Sequence, residues 1–525
     1  MEHWSIRKPA IETAGGIVVS QHAIAAQTGA RVLEEGGNAI DAAIAAGFAL
    51  GVVEPWMSGI GGCGFMTVFL AETQQCHAVE FGVRSSAAVA VEDYPLARGF
   101  DSDLFAWPGV LDHRNVLGPY SVAVPGYVAG VALALEKFGT WDWHALVKPA
   151  IDLAESGFSA DWYSSLKIAS SAGDLKRFES SASVYLPNGD VPMGQWASAP
   201  PTVRIRGLAK TLRKLASEGP DAFYRGTLAK DFLSDCAAVG IKILPEDLKT
   251  YRARDYQIRG FSYRDAVVFT PAGLCGGPTL ERALSSLASY PREACSGPDG
   301  AYYCALGASL DHAYAHRLRH LGHSPDGSAS ASTTHLNVTD RHGNVVSLTQ
   351  TLLSIFGSKL MLPDTGILMN NGMMWFDPEP GKPNSLLPGK EPLSNMCPVI
   401  VRMPSGEICA LGASGGRRIV SSVMQLISFL VDQGMSIEAA MHQPRIDVSG
   451  SGQLLADSAL DSSVKEELQK RFSDFSTAQH GVFPSLFSCP SIASFDPHSR
   501  RSIGSAFVTS PLAAAVPEQP HAVVR

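Results

Sequence analysis

This sequence shows no clustered basic face, no metal-ligand cysteine spacing, no export-signal pattern in its first residues and no apolar run long enough to cross a bilayer. Each absence removes a class of function. The Lys and Arg residues are dispersed and the net charge is −8, which argues against binding nucleic acid through its phosphates. Nine cysteines, scattered from Cys63 to Cys489 without a CxxC pair, give neither a disulfide framework nor a zinc site and suit a reducing compartment. Residues 1–9 lack the apolar core and small-residue cleavage site of an export signal, so a cytoplasmic location is expected. The first long apolar stretch, Ala39–Val53, is shorter than the roughly 20 residues a membrane span needs and contains Asp41, so it reads as a buried helix.

What remains is the composition of a globular protein: 525 residues, 45% hydrophobic and 18% charged, enough to bury a large core. Length alone suggests two to four domains, but layered α/β proteins of this size also run as one intertwined unit. Helical spacing runs from about residue 23 to 33 and from 39 to 50, with Gly36-Gly37-Asn38 between them as a stop and an N-cap. The glycine-dense turn Ser58-Gly59-Ile60-Gly61-Gly62-Cys63-Gly64 then leads into a strand; it allows either close backbone packing or anion binding. Residues 127–260 read as mostly helical. Around residues 311–321 a helix places His312, His316 and His320 on one face, which suits a solvated face or a metal. Residues 324–332 are small and polar, as in a surface linker. Immediately afterwards, residues 334–338 and 345–351 are β-rich runs flanking the turn Asp340-Arg341-His342-Gly343-Asn344. A hairpin centred there pairs residues whose numbers sum to about 683, within a slip of one or two. This sets Thr333 near Thr351, with Ser347 and Thr349 on the same face.

Thr333-Thr334-His335-Leu336, with Asp340, Gly343-Asn344 and Ser347-Leu348-Thr349-Gln350-Thr351, resembles the nucleophile segment of the γ-glutamyltranspeptidase family. The segment from Gly36 to Ala43, Val53-Glu54-Pro55 and the following glycines resemble the family's N-terminal signature. Pro392-Leu393-Ser394-Asn395-Met396 and Ser414-Gly415-Gly416-Arg417 resemble its substrate-carboxylate and oxyanion loops. The matches fall in family order from about residue 12 to 450. The resemblance implies an N-terminal-nucleophile hydrolase with a four-layered αββα sandwich, made as one precursor and cut after Ser332. The products would be a large chain, 1–332, and a small chain, 333–525, intertwined in one fold. Thr333 would be the nucleophile, its new α-amine the base, Thr351 the group orienting the hydroxyl, and Gly415 and Gly416 the oxyanion donors. No cofactor and no metal are implied. The expected partners are a small-molecule amide, the two chains for each other and further copies of the protein, with neither nucleic acid nor membrane among them.

Three departures bear on the acyl group. Where the family holds the glutamyl α-amine with Asn, Gln and Asp, this chain has Leu353, Gly372 and Trp375, an apolar set that penalises a buried ammonium. Gly372 leaves room for an ordered water that could take the amine instead. The family's carboxylate-binding arginine falls at Gly82, with Arg84 two residues on as a candidate replacement beside Ser394 and Asn395. The loop between Trp375 and Pro392 is too short for the lid of many transpeptidases. Asn370-Asn371-Gly372-Met373-Met374-Trp375-Phe376-Asp377-Pro378 resembles the branch containing glutaryl-cephalosporin acylases and glutathione hydrolase-like proteins. Hydrolysis of a γ-glutamyl amide such as glutathione, with or without transfer, is one expected activity. Cleavage of a glutaryl or other dicarboxylate amide is another, and an unprocessed, non-catalytic binding protein is a third reading.

Overall fold

The computed structural model describes residues 6–100, 107–291, 297–321, 332–449 and 452–519. Two seven-stranded antiparallel sheets stack face to face with helices on both outer sides. This is the αββα sandwich that the resemblance implies. In chain order the strands are β1 (Ile11–Thr13), β2 (Ile17–Ser20), β3 (Cys63–Leu70), β4 (Gln75–Phe81), β5 (Arg254–Gln257), β6 (Phe261–Tyr263) and β7 (Ala266–Phe269). They continue as β8 (Ser332–Thr339), β9 (Val345–Leu353), β10 (Val399–Arg402), β11 (Ile408–Ser414), β12 (Cys489–Asp496), β13 (Arg501–Ser505) and β14 (Ala514–Pro517). One sheet runs β14-β2-β8-β9-β3-β4-β5 and the other β1-β13-β12-β11-β10-β7-β6. Each of these two sheets takes strands from both sides of Thr333, so neither large sheet belongs to one half of the chain.

Between the sheets lie apolar side chains such as Phe69, Ala78 and Val345 from one and Ile400, Ala410 and Phe495 from the other. The outer face of the first sheet is covered by α1 (Ala23–Glu34), α2 (Ala39–Val53), α3 (Tyr127–Phe138) and α4 (Trp143–Ser156). The second is covered by α5 (Gly277–Ala288), α6 (Gly300–His320) and α7 (Arg418–Val431). The long Ala- and Gly-rich segment is a buried helix, as read: fourteen of its fifteen residues are buried. Small residues are required there, because a Cβ on Gly47 would stand 2.6 Å from the Tyr127 hydroxyl and 2.7 Å from Gln350 Oε1. Asn38 closes a capping box with Asp41 at the start of α2, satisfying N–H groups that have no partner inside the helix.

The hairpin that carries Thr333 is fixed by its turn. Asp340 Oδ1 accepts from the N–H groups of His342 and Asn344, and its Oδ2 accepts from Ala39 N at 3.0 Å, tying the turn to α2. The glycine turn at 58–64 serves close packing: a Cβ on Gly62 would lie 2.3 Å from the Thr351 carbonyl oxygen, and one on Gly61 2.3 Å from that of Leu368. The histidine face of α6 is exposed or half-exposed, with His312 beside Arg282 and the His316 and His320 rings 4.5 Å apart. The expected linker is described only at Ser332, which already lies in β8, so strand pairing reaches one residue past the expected junction; residues 324–331 lie outside the described residues. The eight described cysteines are free thiols. Among the described residues no helix is long and apolar enough to cross a membrane.

Candidate active site

Thr333 sits in a β-bulge. Through most of the hairpin β8 and β9 pair in strict register, Leu336 with Leu348 and Thr334 with Gln350, but Ser332 pairs with Leu353. Paired numbers therefore sum to 684 along the hairpin, one from expectation, and Thr351 and Leu352 both lie opposite Thr333. A bulge of this kind re-aims a side chain. The Thr333 hydroxyl meets that of Thr351 at 3.4 Å, and Thr351 Oγ1 accepts from the Leu353 N–H at 2.7 Å. Thr333 is only 3% exposed.

Alternation along β8 places Thr333, His335 and Asn337 on the face toward the second sheet and Thr334 on the opposite face. His335 Nδ1 lies 2.8 Å from Thr349 Oγ1, and Nε2 lies 3.0 Å from Asn337 Oδ1. The Asn337 amide nitrogen donates to Ser491 O and Oγ. Its oxygen must therefore accept, which puts the imidazole proton on Nε2 and leaves Nδ1 to accept from Thr349. Burial pushes the His335 pKa down to about 3. The imidazole is neutral and fully engaged, and it is not a base for Thr333.

On the other face the Thr334 hydroxyl donates to Glu54 Oε2 at 2.9 Å. Glu54 is 3% exposed, and burial raises its pKa from 4.5 to about 7, against the lowering effects of the Thr334 hydrogen bond and the nearby Lys167 charge. A carboxyl whose folded pKa is raised binds protons more tightly in the folded state. Its burial is therefore free of penalty below pH 4.5, grows costlier as pH rises to about 7, and is constant above that. The gap corresponds to about 3 kcal/mol. Glu54→Gln is accordingly expected to stabilise the protein at pH 8 and to leave it unchanged at pH 4.5, measured as melting temperature against pH; equal shifts at both values overturn the assignment.

A buried amide connects this face to the glycine pair. Thr334 Oγ1 lies 3.4 Å from Gln21 Oε1, and Gln21 Nε2 donates to Ser414 Oγ at 2.6 Å. Ser414 ends β11 and is followed by Gly415 (φ +132°) and Gly416 (φ +61°), which turn the chain into α7. A Cβ on Gly415 would stand 2.9 Å from Ser488 Cα, so both the backbone angle and the space call for glycine. The pair lies at the positive end of a fourteen-residue helix, where backbone N–H groups favour negative charge.

The residues expected on the acyl side divide into two groups. Leu353 and Trp375 are buried in one apolar cluster with Trp107, Met373, Leu393 and Met396. Leu353 holds a left-handed backbone, φ +85°, uncommon for a branched side chain. The space expected beside Gly372 is filled: a Cβ there would lie 2.6 Å from Ala123 Cβ and 2.8 Å from Val83 Cγ2. No water fits at that contact. Ser394 Oγ accepts from Met396 N at 3.1 Å, and Asn395 Oδ1 accepts from Arg317. Arg84 is turned to the helix at Pro245–Thr250: its Nη2 donates to Asp247 O and Thr250 Oγ1, and it lies over the Tyr251 ring. The short loop after Trp375 folds back on Ser85, whose hydroxyl donates to Leu387 O. A surface cleft of about 410 Å³ lined by Trp143, Tyr224 and Tyr251 contains none of these residues.

Sequence reading missed Gln21, Glu54 and Arg317 as parts of this arrangement. Glu54 had a signal, a lone carboxylate inside an apolar run before a proline. Gln21 had none.

Comparison with known proteins identifies a family and a fold. The sequence profile described as Gamma-glutamyltranspeptidase matches residues 25–329 and 319–484. The glutathione hydrolase proenzyme of Bacillus subtilis (strain 168) is 32% identical over 492 residues, covering 82% of this chain and 80% of that protein. The acylase ACY 1 proenzyme of Pseudomonas sp. (strain SE83) is 34% identical over 503 residues, covering 89% and 88%. The crystal structure of cephalosporin acylase from Bacillus halodurans superposes with a TM-score of 0.82 at 23% identity, covering 99% of each chain, and shows the same fold. With relatives of this similarity along most of its length, the chain belongs to the γ-glutamyltranspeptidase family of amidohydrolases.

Proposed function

We propose that the chain cuts itself between Ser332 and Thr333 and then hydrolyses amides whose acyl group carries a distal carboxylate and no α-ammonium. In the first reaction the Thr333 hydroxyl adds to the Ser332 carbonyl, the C–N bond breaks in favour of a C–O ester, and water hydrolyses that ester to free a threonine α-amine. An α-amine with an ordinary pKa of roughly 7.7 to 8.0 can take the proton of its own hydroxyl near neutral pH. The engagement of His335 with Thr349 and Asn337 supports this, since it leaves that role to the amine. Thr351 orients the hydroxyl, and the Gly415 and Gly416 N–H groups hold the oxyanion. The large chain 1–332 and the small chain 333–525 remain partners.

The observation that carries the acyl preference is the apolar cluster that buries Leu353 and Trp375 and whose Ala123 and Val83 close the space beside Gly372. An ammonium desolvated there would lack the acceptors it needs, at a cost of a few kcal/mol. The other reading, a γ-glutamyl hydrolase acting on glutathione, draws on the name of the Bacillus subtilis relative. Rates on glutaryl-p-nitroanilide and γ-glutamyl-p-nitroanilide decide between them. Glutaryl is expected to be cleaved at least as well; a preference for γ-glutamyl of about a hundredfold or more sinks the apolar-pocket reading. Leu353→Asn combined with Trp375→Asp is expected to shift kcat/KM toward γ-glutamyl by at least about tenfold.

A further inference from the structure

A buried guanidinium joins the last described helix before Thr333 to the loop carrying Ser394 and Asn395. Arg317, on α6, is 1% exposed. Its Nη1 donates to Cys275 O at 3.0 Å and Thr279 Oγ1 at 3.1 Å; its Nη2 donates to Ser394 O at 2.7 Å and Asn395 Oδ1 at 3.0 Å. The planar fork thus spans two loops, which also bond directly through Ser394 N to Leu274 O at 2.9 Å and Gly276 N to Met396 O at 2.8 Å. Lysine could not reproduce this, having a point charge in place of a fixed fork.

The contact with Asn395 sets the polarity of that amide. A guanidinium only donates, so the side of the amide facing Arg317 must be its oxygen, and the NH2 group must face the other way. That nitrogen is buried and has no hydrogen-bond partner, while Asn395 as a whole is 2% exposed. Trp375 Nε1 is a second buried N–H without an acceptor. Leu393 and Met396, which flank Asn395 in its loop, pack in the same apolar cluster as Trp375 and Leu353. Unmet buried donors are uncommon and call for an explanation. Two of them beside one apolar cluster suit a ligand that brings oxygen atoms and negative charge.

We infer that Arg317 is a positioning residue: by taking up the Asn395 carbonyl oxygen it presents the Asn395 N–H to the distal carboxylate of the acyl group. The inference rests on the carboxylate-bearing acyl group proposed above. Without Arg317 the amide can rotate and offer its oxygen, which repels a carboxylate.

The test uses the full processed enzyme with glutaryl-p-nitroanilide and pentanoyl-p-nitroanilide, which match in chain length and differ in the distal carboxylate. In Arg317→Met the glutaryl-to-pentanoyl ratio of kcat/KM is expected to fall by at least about tenfold, with the glutaryl loss appearing in KM rather than kcat. Arg317→Lys is expected to recover only part of the ratio. Asn395→Asp keeps an oxygen for Arg317 and removes the donor, so it is expected to lower the ratio as well. It also carries the test if Arg317→Met fails to fold or process. Parallel losses on both substrates, or a ratio unchanged in Asn395→Asp, overturn the inference and leave Arg317 a structural residue. A wild-type enzyme that cleaves γ-glutamyl-p-nitroanilide but neither of these anilides overturns the acyl-group reading and this inference with it, while self-cleavage at Thr333 stands.

Discussion

Thr333→Ala is expected to remain one chain of 55.7 kDa, whereas the unaltered protein is expected to separate on a denaturing gel into two. Their masses, 332/525 and 193/525 of the whole, are roughly 35 and 20 kDa, because the activated threonine nucleophile exists only after the cut. Turnover of any amide is expected to fall by at least about 10⁴-fold, the scale on which removing a nucleophile acts. Thr334 provides the control. Its hydroxyl is turned away, onto Glu54, so Thr334→Ala is expected to process normally. A small chain whose first residue is Thr334 reassigns the nucleophile, and an active enzyme that stays intact removes the mechanism altogether. Intact mass spectrometry reads all three outcomes. Thr333→Ser, which keeps the hydroxyl, is expected to process.

Gly416→Val is expected to lower kcat by about 10²- to 10³-fold, the effect of losing one oxyanion donor. The φ of Gly416 is +61°, a conformation that a β-branched residue enters only with strain. Valine is therefore expected to pull the backbone toward negative φ and turn the N–H groups of the pair away from the reacting carbonyl. The turn joins β11 to α7 at the edge of a well-packed core, so the accompanying loss of stability is expected to be about 1 to 2 kcal/mol. A variant that folds, processes and turns over at the original rate places the oxyanion donors elsewhere.

Much of this arrangement could be read from the sequence because it is local. The hairpin was legible from two β-rich runs and a turn whose Asp340 and Gly343 suit it, and the register followed to within one residue. The buried helix α2 was legible from its Ala- and Gly-rich composition and its Asn38 cap. The unread parts join residues far apart in the chain. Thr334 reaches Glu54, Gln21 reaches Ser414, and Arg317 reaches Asn395, and no periodicity within one segment encodes such pairs. Gly372 misled for a related reason. A missing side chain suggests space in a sequence, but here Ala123 and Val83 occupy it.

The interleaving of strands would change what unfolding means in a chain cut at the proposed 332–333 bond. In the sheet order β14-β2-β8-β9-β3-β4-β5, the strands contributed by residues after Ser332 lie on both sides of β2 and between β2 and β3. Two such products could not slide apart as folded bodies, since separating them would break hydrogen-bonded ladders inside both sheets. Dissociation and global unfolding become one event. Before cleavage that event is unimolecular; after it, refolding requires two different chains to meet, and the folded fraction comes to depend on protein concentration. The proposed cleavage would thus convert a protein protected by equilibrium stability into one protected by the height of its unfolding barrier, with a denatured state that dilution makes hard to leave.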